Sequence, residues 1–270
     1  MVDKDSYKVE KFPLVRKTIS EFGHQSKYFN HIKGIYEVDV TKAWHYIKDY
    51  KEKTGTKISF TSWIMNCVAQ AISEYKTVQA FRWGRNKMVT FDDVDVKCNV
   101  EKEINGNMVP IPYIVRKANE KSLREIHEEI RNAQQHDKDQ RKKERSIKKR
   151  QNFIMSLPKF IRNIIWKIVM RSPFKMKKHF GTIGLTAMGM FGRNITGWAI
   201  PKTGHSTTFA IGAVKTKPIV VNDEIKKREM LHMTVEFNHD TVDGGPAVRF
   251  VQRLIDLLES GFALDTFASE

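Results

Sequence analysis

The chain has 270 residues, with 47 Lys or Arg against 31 Asp or Glu and a formal charge of +16. That length can bury a sizeable core and sits near the upper end of what one domain holds. Two cysteines, Cys67 and Cys98, give neither a disulfide framework nor a zinc spacing, and no uninterrupted apolar stretch is long enough to span a membrane. The first residues carry no apolar run of signal-peptide type, so the expected setting is cytoplasmic. The charge is uneven: between Lys138 and Lys178 there are 15 Lys or Arg against two acids, Asp139 and Glu144. The rest of the chain is nearly neutral, as an enzyme domain would be.

In chain order, Val15 to Phe22 reads as a short amphipathic helix and Ile35 to Val40 as a strand, with Thr41 capping a helix over Lys42 to Lys53. Ser59 or Thr61 opens a helix in which Trp63, Ile64, Cys67, Val68, Ala71 and Ile72 form one apolar stripe, a core face. Ala80 to Gly84 followed by Met88-Val89 reads as a hairpin. Strands over Val94 to Val100 and Val109 to Val115 flank Asn105-Gly106-Asn107, a strong hairpin signal. A helix from Ser122 to Gln135 turns Leu123, Ile126, Ile130 and Ala133 inward.

Residues 136–180 form a basic segment. Arg141 to Arg150 is a charge run, read as an exposed helical extension. A second helix starts near Ser156-Leu157-Pro158 and closes before Pro173. It places Ile154, Leu157, Ile161, Ile164, Ile165, Ile168 and Val169 on one face, with Lys159, Arg162, Lys167 and Arg171 largely off it. That apolar face is expected to pack on this domain or on a second copy. The alternative is docking of residues 141–178 on a membrane surface or an acidic protein partner. Nucleic acid is disfavoured, since the run has no recognised nucleic-acid-binding fold and few interleaved aromatics.

After Gly181 strands return, over Thr182 to Ala187, Trp198 to Ile200, Thr207 to Val214 and Leu231 to Phe237, with Pro218 and Asn222-Asp223 marking turns. Strands and helices without regular alternation imply an α+β fold with a mixed sheet. The last strand runs into Asn-His-Asp-Thr-Val-Asp-Gly-Gly (238–245), where Gly244 and Gly245 supply a sharp turn. A helix follows with Ala247, Val248, Val251, Leu254, Ile255 and Leu258 on one face. His239 and Asp243 thus stand four residues apart where the strand stops. The other eight histidines show no ligand spacing, so no metal is expected.

His239-x-x-x-Asp243-Gly244 resembles the active-site motif of the chloramphenicol acetyltransferase and dihydrolipoamide acyltransferase superfamily. The stretch Gly181-Thr-Ile-Gly-Leu-Thr-Ala-Met-Gly-Met-Phe-Gly192 is similar to one that the dihydrolipoamide acyltransferases carry upstream of their histidine. Pro13 to Lys17, Tyr36 to Thr41, the helix from Ser59 to Tyr75, Val109 to Val115 and Lys121 to Ile126 extend the resemblance over most of the chain, and Phe81-Arg82 looks like the chloramphenicol branch. The resemblance implies a single catalytic domain over residues 1–270 with a chloramphenicol acetyltransferase-like fold, a mixed sheet flanked by helices, interrupted by a basic amphipathic helical insertion at about 136–180.

It also implies acyl transfer from a coenzyme A thioester to a thiol, hydroxyl or amine acceptor. His239 would be the general base, Thr186 the hydroxyl donor to the oxyanion, and Asp243 the partner of Arg16 in holding the histidine turn. The site would form between subunits of a homotrimer, which can build into something larger, with Thr186 supplied by the neighbour. The chain departs from the dihydrolipoamide branch in reading Asn238-His239-Asp240 where Asp-His-Arg is usual, and no lipoyl or subunit-binding domain and no lipoyl group are expected on it. The alternative is a catalytically silent assembly protein of the same fold that docks through its basic helix.

Overall fold

The computed structural model describes residues 12–26, 29–104, 106–135, 152–188 and 196–267. The strands are β1 (His31–Asp39), β2 (Phe81–Trp83), β3 (Lys87–Val89), β4 (Val96–Ile104), β5 (Asn107–Val115), β6 (Ile183–Ala187), β7 (Thr207–Val221) and β8 (Glu224–Asn238). The helices are α1 (Leu14–Gln25), α2 (Thr41–Thr54), α3 (Phe60–Glu74), α4 (Leu123–Gln134), α5 (Lys159–Met170), α6 (Pro173–Phe180), α7 (Gly244–Ser260) and α8 (Leu264–Phe267). Six strands form one sheet in the order β1-β8-β7-β6-β4-β5, and β2 pairs with β3 apart from it. β6 runs parallel to both neighbours while the other pairings are antiparallel. This is the mixed α+β sheet that the sequence implies.

Alternation along β8 sends Leu231, Met233, Val235 and Phe237 into a core shared with α2, α3, α4 and α7. In α3 the side chains of Trp63, Ile64, Met65 and Ile72 are fully buried, each such burial contributing about 1.5–3 kcal/mol. Ser59 caps α3 by accepting from the Ser62 amide at 3.3 Å. Ser122 and Glu125 close a reciprocal capping box on α4.

Several local expectations change in three dimensions. Thr41 is the first helical residue of α2, not its cap; Val40 holds the cap position, and the Asp39 carboxylate accepts from the Thr41 amide at 2.9 Å. Trp198 to Ile200 is not a strand. Pro218 lies within β7, opposite Lys227. Beyond Ile211, β7 has no β6 neighbour, so a residue without an N–H costs no ladder bond on that side. The turn is made by Asn222 and Asp223 alone, with φ of 53° and 61°, the left-handed pair that matches strand twist. Gly244 and Gly245 begin α7 with no positive φ, and Val248 points to solvent while Phe250 and Leu257 fill the core instead.

Gly181 does need its glycine. It sits at φ 77°, and a Cβ there would stand 2.5 Å from the Asp95 carbonyl oxygen. The closeness follows from a crossing point: Asp95 accepts from the Thr182 amide through its backbone and from Arg116 and the Lys117 amide through its carboxylate. Arg116 in turn donates to the Lys177 and Lys178 carbonyls at the end of α6.

α1, α5 and α6 pack together through Phe22, Trp166 and Phe180. The face of α5 expected to pack is split: Ile161, Ile165 and Val169 are half-buried, while Ile164 and Ile168 are exposed. Arg162 is buried and donates to Glu21 of α1, whereas Phe160 is exposed. Burial alone would raise the Glu21 carboxyl, but the hydrogen bonds and charge of Arg162 outweigh it and hold it below the usual range. The charge run Arg141 to Arg150 lies outside the described residues.

Candidate active site

β8 ends at Asn238, and the chain turns at once. The Asn238 carbonyl accepts from the Thr241 and Val242 amides at 3.0 Å each, and its side-chain oxygen accepts from the Asp240 amide at 3.2 Å. The turn is tied to the N-terminal part of the chain by the His239 amide, which donates to the Asn30 carbonyl at 2.7 Å. These bonds hold the His239 imidazole, 43% exposed, at the rim of the sheet. Its Nδ1 lies 4.0 Å from Asp243 Oδ1, too long for a hydrogen bond. With Nδ1 on the Asp243 side, Nε2 is the ring nitrogen that faces away from that carboxylate.

Arg16 does not join this pair. It is exposed on α1 and makes no ion pair with Asp243, whose carboxylate stands 4.0 Å from the His239 ring. A cation that does reach the turn is Arg82 of β2, 4.0 Å from Asp240. The acid that replaces an arginine beside the histidine is thus met by an arginine arriving from another element.

Thr186 lies level with Ala210 on β7, which lies level with Thr234 on β8. His239 is five residues further along β8, roughly 16 Å along the strand and roughly 10 Å across it, hence about 19 Å from Thr186 at standard strand spacings. One chain therefore keeps these two residues on the same sheet but far apart. Thr186 shares its sheet face with Thr234 and Glu236, both fully or almost fully buried. Burial raises the Glu236 carboxyl above its usual range.

A cleft of about 950 Å³ opens beside the histidine turn. Asn238 and Asp240 form one edge, Arg82 and Arg85 of the β2–β3 hairpin a second, and Lys167 and Arg171 of the α5 end a third. Phe29, Phe81 and Trp83 supply aromatic walls. His31 stacks on Phe29 and donates from Nε2 to the His205 carbonyl at 2.9 Å; burial lowers its pKa. Four cations and three rings against one acid suit a phosphorylated, ring-bearing ligand. Among the described residues no group of three His, Cys, Asp or Glu could hold a metal ion.

The sequence matches the family described as 2-oxoacid dehydrogenases acyltransferase (catalytic domain) over residues 4–160 and 174–264. The chain belongs to this family. The break in the match, 161–173, holds most of α5. A curated relative, the dihydrolipoyllysine-residue acetyltransferase component of the pyruvate dehydrogenase complex of Staphylococcus epidermidis, is 25% identical over 92% of this chain and 51% of its own length. The chain spans about half the length of the curated relatives it matches.

Two solved structures share the fold. A probable dihydrolipoamide acetyltransferase from Listeria monocytogenes has a TM-score of 0.70 at 19% identity, covering 96% of this chain and 97% of that one. The dihydrolipoamide acetyltransferase of Azotobacter vinelandii has a TM-score of 0.68 at 17% identity, covering 95% and 94%. It was studied for the roles of a serine, a histidine and, four residues after that histidine, an asparagine in its catalytic mechanism.

His239 and Asp243 were legible as a family motif. Arg82, Arg85, Lys167 and Arg171 carry no sequence signal of their own as site residues, because each is an ordinary cation in its own local pattern. Phe81-Arg82 was the one available signal, as a feature of the chloramphenicol branch.

Proposed function

We propose that this protein transfers an acyl group from a coenzyme A thioester to a thiol, hydroxyl or amine acceptor, with His239 as general base. The observation that supports this most directly is the position of His239 at the end of β8, next to Asp243 and to a cleft walled by four cations and three aromatic rings. Arg82, Arg85, Lys167 and Arg171 would bind the phosphates of coenzyme A, and Trp83 with its aromatic neighbours would take the ring system. Coenzyme A supplies the activated thioester carbonyl as co-substrate.

His239 Nε2 takes the acceptor's proton as the acceptor attacks that carbonyl, while Asp243 favours the imidazolium that forms. The oxyanion of the tetrahedral adduct accepts a hydrogen bond from a Thr186 hydroxyl. On collapse His239 returns the proton to the departing thiolate. Because Thr186 and His239 of one chain are about 19 Å apart by strand spacing, the two must come from different copies, which supports a homotrimer with its sites between subunits. The structural pair Arg16–Asp243 has no part in this reading.

The test is thiol release from acetyl-CoA and longer acyl-CoAs with dihydrolipoamide and a panel of small acceptors. His239→Ala should lose about 10²–10⁴-fold in rate, and Arg82→Glu should weaken coenzyme A binding by calorimetry. Release indifferent to His239 would overturn the assignment of the base. An absence of both turnover and acyl-CoA binding would leave an assembly protein of the same fold.

A further inference from the structure

At 3.6 residues per turn, Phe160, Ile164, Lys167, Ile168 and Arg171 fall within an arc of roughly 100° on α5. All five are exposed, Phe160 at 66%, Ile164 at 53% and Ile168 at 49%. The opposite side is fixed in place. Arg162 donates to both carboxylate oxygens of Glu21 and to the Leu157 carbonyl, and Trp166 Nε1 reaches Glu21 as well. Rolling the helix to hide its apolar arc would strand this buried charge, so the arc stays outward.

The exposed surface continues beyond α5. Phe174 of α6 meets the Trp83 ring edge-on at 5.5 Å, and Lys87 stands over the same ring. Around these side chains lie the exposed Lys159, Lys175 and Lys178. Of the Lys and Arg residues in 159–178, ion pairs hold Arg162 and Lys177; the chain has no Asp or Glu at all between Glu144 and Asp223. Such a face repels a second copy of itself and complements a negative surface. Aromatic and aliphatic side chains interleaved with cations are the composition that enters the headgroup region of a bilayer. Among the described residues no helix is long and apolar enough to cross one, so the contact is peripheral.

We propose that α5, together with Phe174 and Trp83, docks this protein on the surface of an anionic lipid bilayer. Phe160, Ile164 and Ile168 enter the headgroup boundary, and Lys159, Lys175 and Lys178 sit at lipid phosphates. Lys167 and Arg171 belong to both the docking arc and the cleft beside His239, so docking sets the mouth of that cleft at the lipid surface. The inference stands on the surface chemistry and does not depend on the reaction at His239.

Flotation of the full chain with vesicles of phosphatidylglycerol and phosphatidylcholine, against phosphatidylcholine alone, tests it. Binding is expected to the anionic vesicles only. Lys159→Gln with Lys175→Gln should weaken it about 25-fold, about five-fold per cation, and Phe160→Ser with Ile164→Ser about ten-fold or more. In the unaltered protein, lipids brominated in the upper acyl chain should quench a fluorescence component that is absent from Trp83→Phe. No binding at low salt, equal binding to both vesicles, or undiminished binding by the Phe160/Ile164 variant would overturn the proposal. So would a change of oligomeric state in that variant, measured by light scattering, because the arc would then be a subunit contact.

Discussion

Mixing two inactive variants tests the placement of the catalytic groups most sharply. Thr186 stands two strands and five residues away from His239, about 19 Å at standard spacings, and no side-chain rotation closes that gap. Within one chain the two cannot serve one substrate. His239→Ala removes the base, at a cost of about 10²–10⁴ in rate, and Thr186→Ala the oxyanion donor, at about 10²–10³. If each site takes its histidine from one subunit and its threonine from the next, unfolding and refolding the two variants together in equal amounts restores about one site in four, the random-assembly value for a cyclic trimer. The assay is steady-state thiol release from the co-refolded mixture, against each variant refolded alone. Recovery of about a quarter of the unmutated rate is expected. A mixture no more active than the better variant, at confirmed subunit exchange, would refute the shared site.

Three further outcomes follow from the fold. Glu21→Gln leaves the buried Arg162 without its counter-charge and should cost about 3 kcal/mol. Because the Glu21 carboxyl is held below its ordinary 4.5, the pair's contribution is whole above that pH and fades as pH falls through the folded value; urea midpoints in mild acid should converge for the two proteins. His205 is buried between the Phe180 carbonyl and Thr203, and burial, with Lys97 nearby, pushes its pKa down from 6.5 to about 3. The unfolded chain therefore binds a proton that the folded one refuses, and stability drops as pH falls below 6.5, by up to about 1.4 kcal/mol per pH unit. His205→Gln should flatten that slope, and an unchanged slope would mean that other groups carry it. Gly181→Ala meets the Asp95 carbonyl and a left-handed backbone together and should lose about 2 kcal/mol or more in thermal unfolding; a loss below half of that would show that the strand start can shift.

Where a structural signal is local, it survived into three dimensions. The apolar side of β8, the stripe of α3, the capping sequence of α4 and the β4–β5 hairpin each rest on a fixed backbone period or on residues close in the chain, so the chain alone declares them. Misreadings came where a neighbour in space overrode the period. Pro218 belongs to a strand because β6 stops short of it, and Gly244 and Gly245 start a helix because the Asn238 carbonyl, accepting from the Thr241 and Val242 amides, already closes the turn.

The sequence by itself carried the α+β class through its periodicities and the family through the motifs it resembles, and it set His239 and Asp243 four residues apart at a strand end. Tertiary structure alone decided that Arg82, Lys167 and Arg171 meet at one cleft, that Arg162 turns inward to Glu21 while Phe160 turns out, and that Thr186 lies too far from His239 to act with it in one chain. Each of these depends on side chains separated by tens to hundreds of residues, and no local pattern encodes which distant charge will be the neighbour.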